Sequence, residues 1–208
     1  MKRILVVGAV LAGSFVIPVQ HAAAATDLKC TGSYSAATYA NVYVPEGSWC
    51  TLTNVTITGN LQALPHSDGL DVSNSTIDGN LQANNVQGNN WGGTNSICGV
   101  KILGNLQIAG SGHNVNWAVD SSGLYSWCGN NCICTNPAPT KGTNTYVGGN
   151  LQLTNNRGTI DVNNTDVEHN VQCLHNYQAS GSWNYADGLV MEDWSCDIYF
   201  AKDDPDTD

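Results

Sequence analysis

One tetrapeptide is written four times in this chain and a fifth time with a single change. It stands at Gly59-Asn60-Leu61-Gln62, Gly79-Asn80-Leu81-Gln82, Gly104-Asn105-Leu106-Gln107 and Gly149-Asn150-Leu151-Gln152, and returns as His169-Asn170-Val171-Gln172. Successive copies lie 20, 25, 45 and 20 residues apart. A period near twenty that accepts insertions is the mark of a solenoid: each repeat is one rung, and extra residues bulge out between rungs.

The repeat extends beyond the tetrapeptide. Three residues before each Asn stands Ile57, Ile77, Ile102, Val147 or Val167. Eight before it, Leu52, Val72, Ile97 and Val162 fill one slot, which Gly142 interrupts in the fourth copy. Alternation such as Val55-x-Ile57 and Leu70-Asp71-Val72 has the period of two of a strand with one face buried. The Gly before each Asn fits a corner where positive φ is needed. A second Asn stands six residues earlier at Asn54, Asn74, Asn144 and Asn164, with Gly99 in rung three. The spacing predicts stacked amide ladders, with Asn60, Asn80, Asn105, Asn150 and Asn170 as the main column. No apolar pattern of helical period and length occurs, so the reading is all-β.

Residues 1–25 have the pattern of a secretory signal: Lys2 and Arg3, an apolar run from Ile4 to Val19, then Ala23-Ala24-Ala25. Residues 26–208 then form a single domain. It comprises an N-terminal cap over 26–50, rungs over 51–172 with an insertion at 111–145, and a C-terminal cap with an acidic tail over 173–208. No further apolar run has the roughly 20 residues of a membrane helix. The net charge of −10 becomes −12 once Lys2 and Arg3 are removed. Such a chain lacks the basic surface that nucleic acid requires. Eight cysteines behind a leader imply disulfides. Cys30 with Cys50 and Cys173 with Cys196 bracket the two caps. Cys98, Cys128, Cys132 and Cys134 leave three pairings open. Val115-x-Trp117-x-Val119 is expected as one further strand inside the insertion, a degenerate rung without its tetrapeptide.

The rung pattern resembles the right-handed parallel β-helix of pectate-lyase-like proteins and, more loosely, that of bactofilins. Tyr43-Val44-Pro45-x-Gly47-x-x-Cys50-x-Leu52 and Asn170-Val171-Gln172-Cys173-x-x-Asn176, leading to Cys196, resemble a group of secreted bacterial proteins with no assigned catalytic residues. The resemblance implies a right-handed, single-stranded β-helix of about six rungs with disulfide-stapled caps. A rung near twenty residues is also longer than the three-hexapeptide coil of a left-handed helix.

Chemistry is sparse. Asn164-Thr165-Asp166 resembles the opening motif of polygalacturonases, but the later Asp-Asp, Gly-His-Gly and Arg-Ile-Lys motifs do not follow. Asp71 and Asp161 share one repeat position and Asp78 and Glu168 another, yet intervening rungs separate each pair. His66, His113, His169 and His175 show no metal-ligand spacing. No catalytic residue, metal or cofactor is expected. The better signal is aromatic: Trp91, Trp117, Tyr125 and Trp127 near the insertions, and Trp183 and Tyr185 in the cap. Exposed rings beside amides can stack on sugars. The expectation is a secreted, non-enzymatic structural or adhesive solenoid whose partner is an extracellular polysaccharide or a surface protein. Polysaccharide binding through the aromatics is the second reading, and a polysaccharide lyase or glycoside hydrolase the third.

Overall fold

A computed structural model describes residues 25–88, 94–120 and 145–201. Among these there is no helix: parallel strands pair in curled sheets, the arrangement of a β-solenoid. One rank contains β1 (Leu28–Lys29), β4 (Val42–Val44), β7 (Leu61–Ala63), β10 (Leu81–Asn84), β13 (Leu106–Ala109), β16 (Leu151–Thr154), β19 (Val171–Leu174) and β21 (Val190–Glu192). A second runs through β2 (Ser33–Ser35), β5 (Trp49–Thr53), β8 (Gly69–Ser73), β11 (Thr94–Cys98), β14 (Asn116–Asp120) and β17 (Thr159–Val162). The third holds β3 (Thr38–Tyr39), β6 (Thr56–Ile57), β9 (Thr76–Ile77), β12 (Lys101–Ile102), β15 (Thr145–Val147) and β18 (Thr165–Val167). The long β20 (Gln178–Ala186) pairs with both β17 and β18, and β22 (Cys196–Ala201) pairs with β20.

Register follows the repeat. Leu61, Leu81, Leu106, Leu151 and Val171 stand in one inward column, and Ile57, Ile77, Ile102, Val147 and Val167 in another. All ten are buried. A one-residue slip would turn these aliphatic columns to water, which locks the register. The third column runs Leu52, Val72, Ile97, Val119 and Val162. Val119 therefore takes the place that counting back from Asn150 assigns to Gly142. The strand around Trp117 is not a separate degenerate rung. It is the first strand of the coil that continues through β15 and β16, because the insertion enters between β14 and β15, after Asp120 rather than after Gly110.

The Asn column forms a directional chain. The Asn60 Oδ1 accepts from the Asn80 backbone N–H at 2.9 Å and from its Nδ2 at 3.2 Å. The same pair of bonds joins Asn80 to Asn105, Asn105 to Asn150, and Asn150 to Asn170. Two members precede those read from the tetrapeptide. Asn41 accepts from the Asn60 N–H, and the Asp27 Oδ1 accepts from the Asn41 N–H and Nδ2. A carboxylate suits this first place, since it only has to accept. The chain ends where the Leu189 N–H donates to the Asn170 Oδ1.

The structure exchanges two expected roles. The glycines before the ladder residues are not positive-φ corners. A Cβ on Gly104 would stand 2.6 Å from both the Asn80 Oδ1 and the Gly79 carbonyl oxygen, so glycine is there for close approach between coils. The positive-φ corners are instead the second column, with Asn54, Asn74, Gly99 and Asn164 at φ of 54°, 48°, 58° and 48°. Asn and Gly are the residues that tolerate this region, which explains why Gly99 substitutes for Asn. Asn144 lies outside the described residues. A further, buried ladder was not visible in the tetrapeptide: the Ser111 N–H donates to the Asn156 Oδ1, the Asn156 N–H and Nδ2 to the Asn176 Oδ1, and the Asn176 N–H to the Ser195 Oγ.

Disulfides join Cys30 to Cys50 and Cys173 to Cys196. Each bridge joins neighbouring coils at one end of the stack, and Cys30, Cys50 and Cys173 belong to the buried core. Closing loops of 20 and 23 residues stabilises each end by about 3 kcal/mol through the unfolded state. Cys98 is also disulfide-bonded. Cys128, Cys132 and Cys134 lie outside the described residues. Two bridges fit an oxidising compartment.

Asn105→Ala removes one acceptor used twice and one donor, and is expected to cost about 1–3 kcal/mol in denaturant unfolding. Gln107→Ala, on the outer row of the same strand, is expected to change stability by under about 0.5 kcal/mol.

Candidate functional site

Along most of the solenoid the outward positions are polar. The row beside the Asn ladder reads Gln62, Gln82, Gln107, Gln152 and Gln172. The last coil replaces this chemistry column by column. Met191 takes the Gln position beside Gln172, and Leu189 takes the Asn position beside Asn170. Trp183 occupies the positive-φ corner that Asn54, Asn74 and Asn164 fill elsewhere, at φ 62°. Trp194 stands between Asp193 and Ser195, the two partners of the His175 and Asn176 N–H groups in the coil below. Seven of the nine exposed large hydrophobic side chains among the described residues lie between Tyr177 and Tyr199. That concentration, on the final turns of the stack, makes this end the candidate site.

Trp183 is the most constrained of them. A bulky side chain in the left-handed region is a genuine outlier, costing roughly 1–3 kcal/mol that surrounding structure must offset. Here β20 bulges against β22. Gly181 pairs with Ile198 and Asn184 with Phe200, so Ser182 and Trp183 together face the single residue Tyr199. The neighbours hold the bend: the Asn184 Nδ2 donates to the Val162 and Tyr199 carbonyls, and its Oδ1 accepts from the Thr165 N–H. Bulges of this kind re-aim side chains. Trp183 and Tyr199 are each 68 % exposed, and Trp194 is 90 % exposed.

The aromatic residues expected from the sequence divide. Trp183 and Tyr185 are exposed. Trp117 is not: it is 1 % exposed, and its Nε1 donates to the Ser111 Oγ at 3.0 Å. It occupies an inward position of β14, between Asn95 and Ile160, and is a core residue that cannot meet a ligand. Trp91, Tyr125 and Trp127 lie outside the described residues. Tyr177, Leu189, Met191, Trp194 and Tyr199 were not anticipated. A signal for two of them exists: Gly188-Leu189-Val190-Met191 is the tetrapeptide once more, with the amides replaced by apolar residues.

The carboxylates do not assemble as a hydrolytic pair at the positions read from the sequence. Ser96 and Ala118 separate Asp71 from Asp161. Burial pushes the Asp71 carboxyl up, while the Ser96 hydroxyl and the Trp49 indole N–H, each at 2.8 Å, hold it in place as acceptor and oppose that rise. Leu103 and Gly148 separate Asp78 from Glu168. Glu168 and Asp187 do fall on adjacent coils, both exposed, and Tyr146 senses them. Its hydroxyl donates to Glu168, and that bond, with burial and the two negative charges, pushes the phenol up to about 12. The Lys101 Nζ lies 5.7 Å from the Tyr146 ring centroid. On the last coil the Glu192 carboxyl is pushed up by burial and by Asp197, whereas Asp193 is held low by the Ser195 hydroxyl and the His175 N–H. Among the described residues no three His, Cys, Asp or Glu side chains are grouped to hold a metal ion. From residue 158 to 201 the chain contains seven acidic residues and no Lys or Arg.

No protein family, curated protein or solved structure matches the chain.

Trp183→Asn keeps a residue suited to the corner and removes the ring; thermal unfolding is expected to show equal or greater stability, by about 1 kcal/mol. An ultraviolet pH titration of Tyr146 is expected to centre at about 12, and Glu168→Gln to return it toward the ordinary phenol range. Because the folded value is the higher one, this contribution to stability is present below the unfolded phenol value near 10 and lost as pH rises toward 12.

Proposed function

We propose that the protein is an exported, non-enzymatic β-solenoid, right-handed and with about six rungs between its caps, that serves as a structural or adhesive element. The leader-like residues 1–25 and the two disulfides support export. The single observation that carries the adhesive role is the concentration of exposed aromatic and aliphatic side chains on the final turns, where Leu189, Met191 and Trp183 replace the amides of the coils below. Asp71, a half-buried carboxylate pushed up by burial, is tied up in structural hydrogen bonds.

A second reading is favoured by Trp183 itself. An indole held at a strained, exposed corner beside Tyr199 offers flat rings on which a polysaccharide can stack. The third, a lyase or hydrolase, has the Asn164-Thr165-Asp166 motif in its favour. Asn164 is buried, however, and its Nδ2 donates to Asp120, a structural engagement.

A glycan and surface-protein array with residues 26–208, confirmed by tryptophan quenching, tests the proposal. Saturable binding that is lost in Trp183→Asn and Trp194→Ala, with no new reducing or unsaturated sugar ends, is the expected outcome. Release of such ends, abolished by Asp71→Asn or Asp166→Asn, would overturn it.

A further inference from the structure

We infer that the outer edge of β22 is a strand-addition site for an extended, basic segment of a partner polypeptide. The inference rests on reading the last coil as the adhesive surface, and it names the partner's chemistry. Within the described residues β22 pairs on one side only, with β20. Its outer edge thus carries backbone donors and acceptors with no neighbouring strand among the described residues. An extended polypeptide matches such a row bond for bond, which a sugar chain does not. The opposite end of the solenoid is blunted by comparison: β1 and β3 have two residues each and β2 three, and no large exposed hydrophobic residue lies in them.

Side chains along β22 then set the partner's sequence. Asp197 and Tyr199 point outward, with Ile198 buried between them, and Trp183 lies beside Tyr199 across the bulge. A strand laid alongside would place alternate side chains next to the Asp197 carboxylate and the Tyr199 ring. Cationic and apolar residues in alternation suit those places. The surroundings agree, since Glu192, Asp193 and Asp197 are on this coil and no Lys or Arg occurs from 158 to 201. Burial and then the Asp197 charge raise the Glu192 carboxyl, and an incoming cation relieves the repulsion between the two carboxylates. The chain's own residues 202–208 carry four aspartates and Pro205 against one lysine, the wrong sign and a missing donor for this edge. A second copy would bring the same acidic end against itself.

The probe is a fluorescein-labelled nonapeptide of alternating lysine and valine, titrated into residues 26–208 and read by anisotropy. Saturable binding is expected, weakened about tenfold or more by Asp197→Lys and by N-methylation of alternate peptide bonds, which removes donors and leaves charge intact. Should Asp197→Lys unfold the coil by circular dichroism, Asp197→Asn serves in its place, with partial loss expected. Equal binding of the N-methylated peptide, or indifference to Asp197, would reduce the effect to charge adsorption and overturn the inference. Concentration-dependent dimerisation of the protein alone, abolished by Asp197→Lys, would overturn it in favour of a second copy. A glycan hit abolished by Trp183→Asn, with the peptide ignored, would overturn it while leaving the adhesive reading intact. New sugar ends would overturn the adhesive reading itself.

Discussion

Every coil of this protein depends on the coil beside it to satisfy its backbone. A strand of two to five residues, as most strands here are, cannot stand alone, and its amides and carbonyls find partners only along the stack. The side chains then repeat what the backbone does. The Asn ladder relays an amide-to-amide contact from coil to coil, and the aliphatic columns stack Leu on Leu and Ile on Ile. A twenty-residue period is the consequence. An insertion is tolerated provided it enters at a corner and leaves the paired strands intact, as the one between β14 and β15 does.

Such a stack has two ends, and they are handled differently. At the start the amide ladder closes on Asp27, whose carboxylate accepts what an Asn would accept and demands nothing from a further coil. The first strands are short, and the Cys30–Cys50 bridge ties them to the next coil from within the core. At the finish a bridge is present again, between Cys173 and Cys196, but the edge is longer and the surface changes character. Amide columns give way to Leu189 and Met191, and an Asn corner gives way to Trp183. Protecting an edge calls for the opposite substitutions, toward charge and brevity. The surface of this end therefore departs from the repeat in several columns at once.

The buried polar groups show how little freedom the interior leaves. Asn156 and Asn176 sit inside the corners, where the chain turns and its own ladder cannot serve the N–H groups; the amides serve them instead. Asn95 does the same for the Leu70 N–H from within the core. These residues resemble a binding site in composition and are scaffold in function.

The sequence by itself determined the all-β architecture, the main amide ladder and the columns of the core, because each is a local pattern repeated at fixed spacing. Identical residues at that spacing end up side by side once the coils stack. It also carried the bracketing positions of the four end cysteines. What it could not decide were roles that depend on which coil a residue faces. The Gly of the tetrapeptide makes room for the coil below rather than turning a corner, and the turning falls to Asn54, Asn74, Gly99 and Asn164. Trp117 lay on a strand expected inside the insertion and is core, since that strand belongs to a coil whose remaining strands come after the insertion. Tertiary structure alone brought Trp183 next to Tyr199, through a bulge that shifts register where no repeat remains to mark it. The candidate site lies where the repeat fails, so a reading built on repetition could identify Trp183 and Tyr185 but not the coil that gathers them.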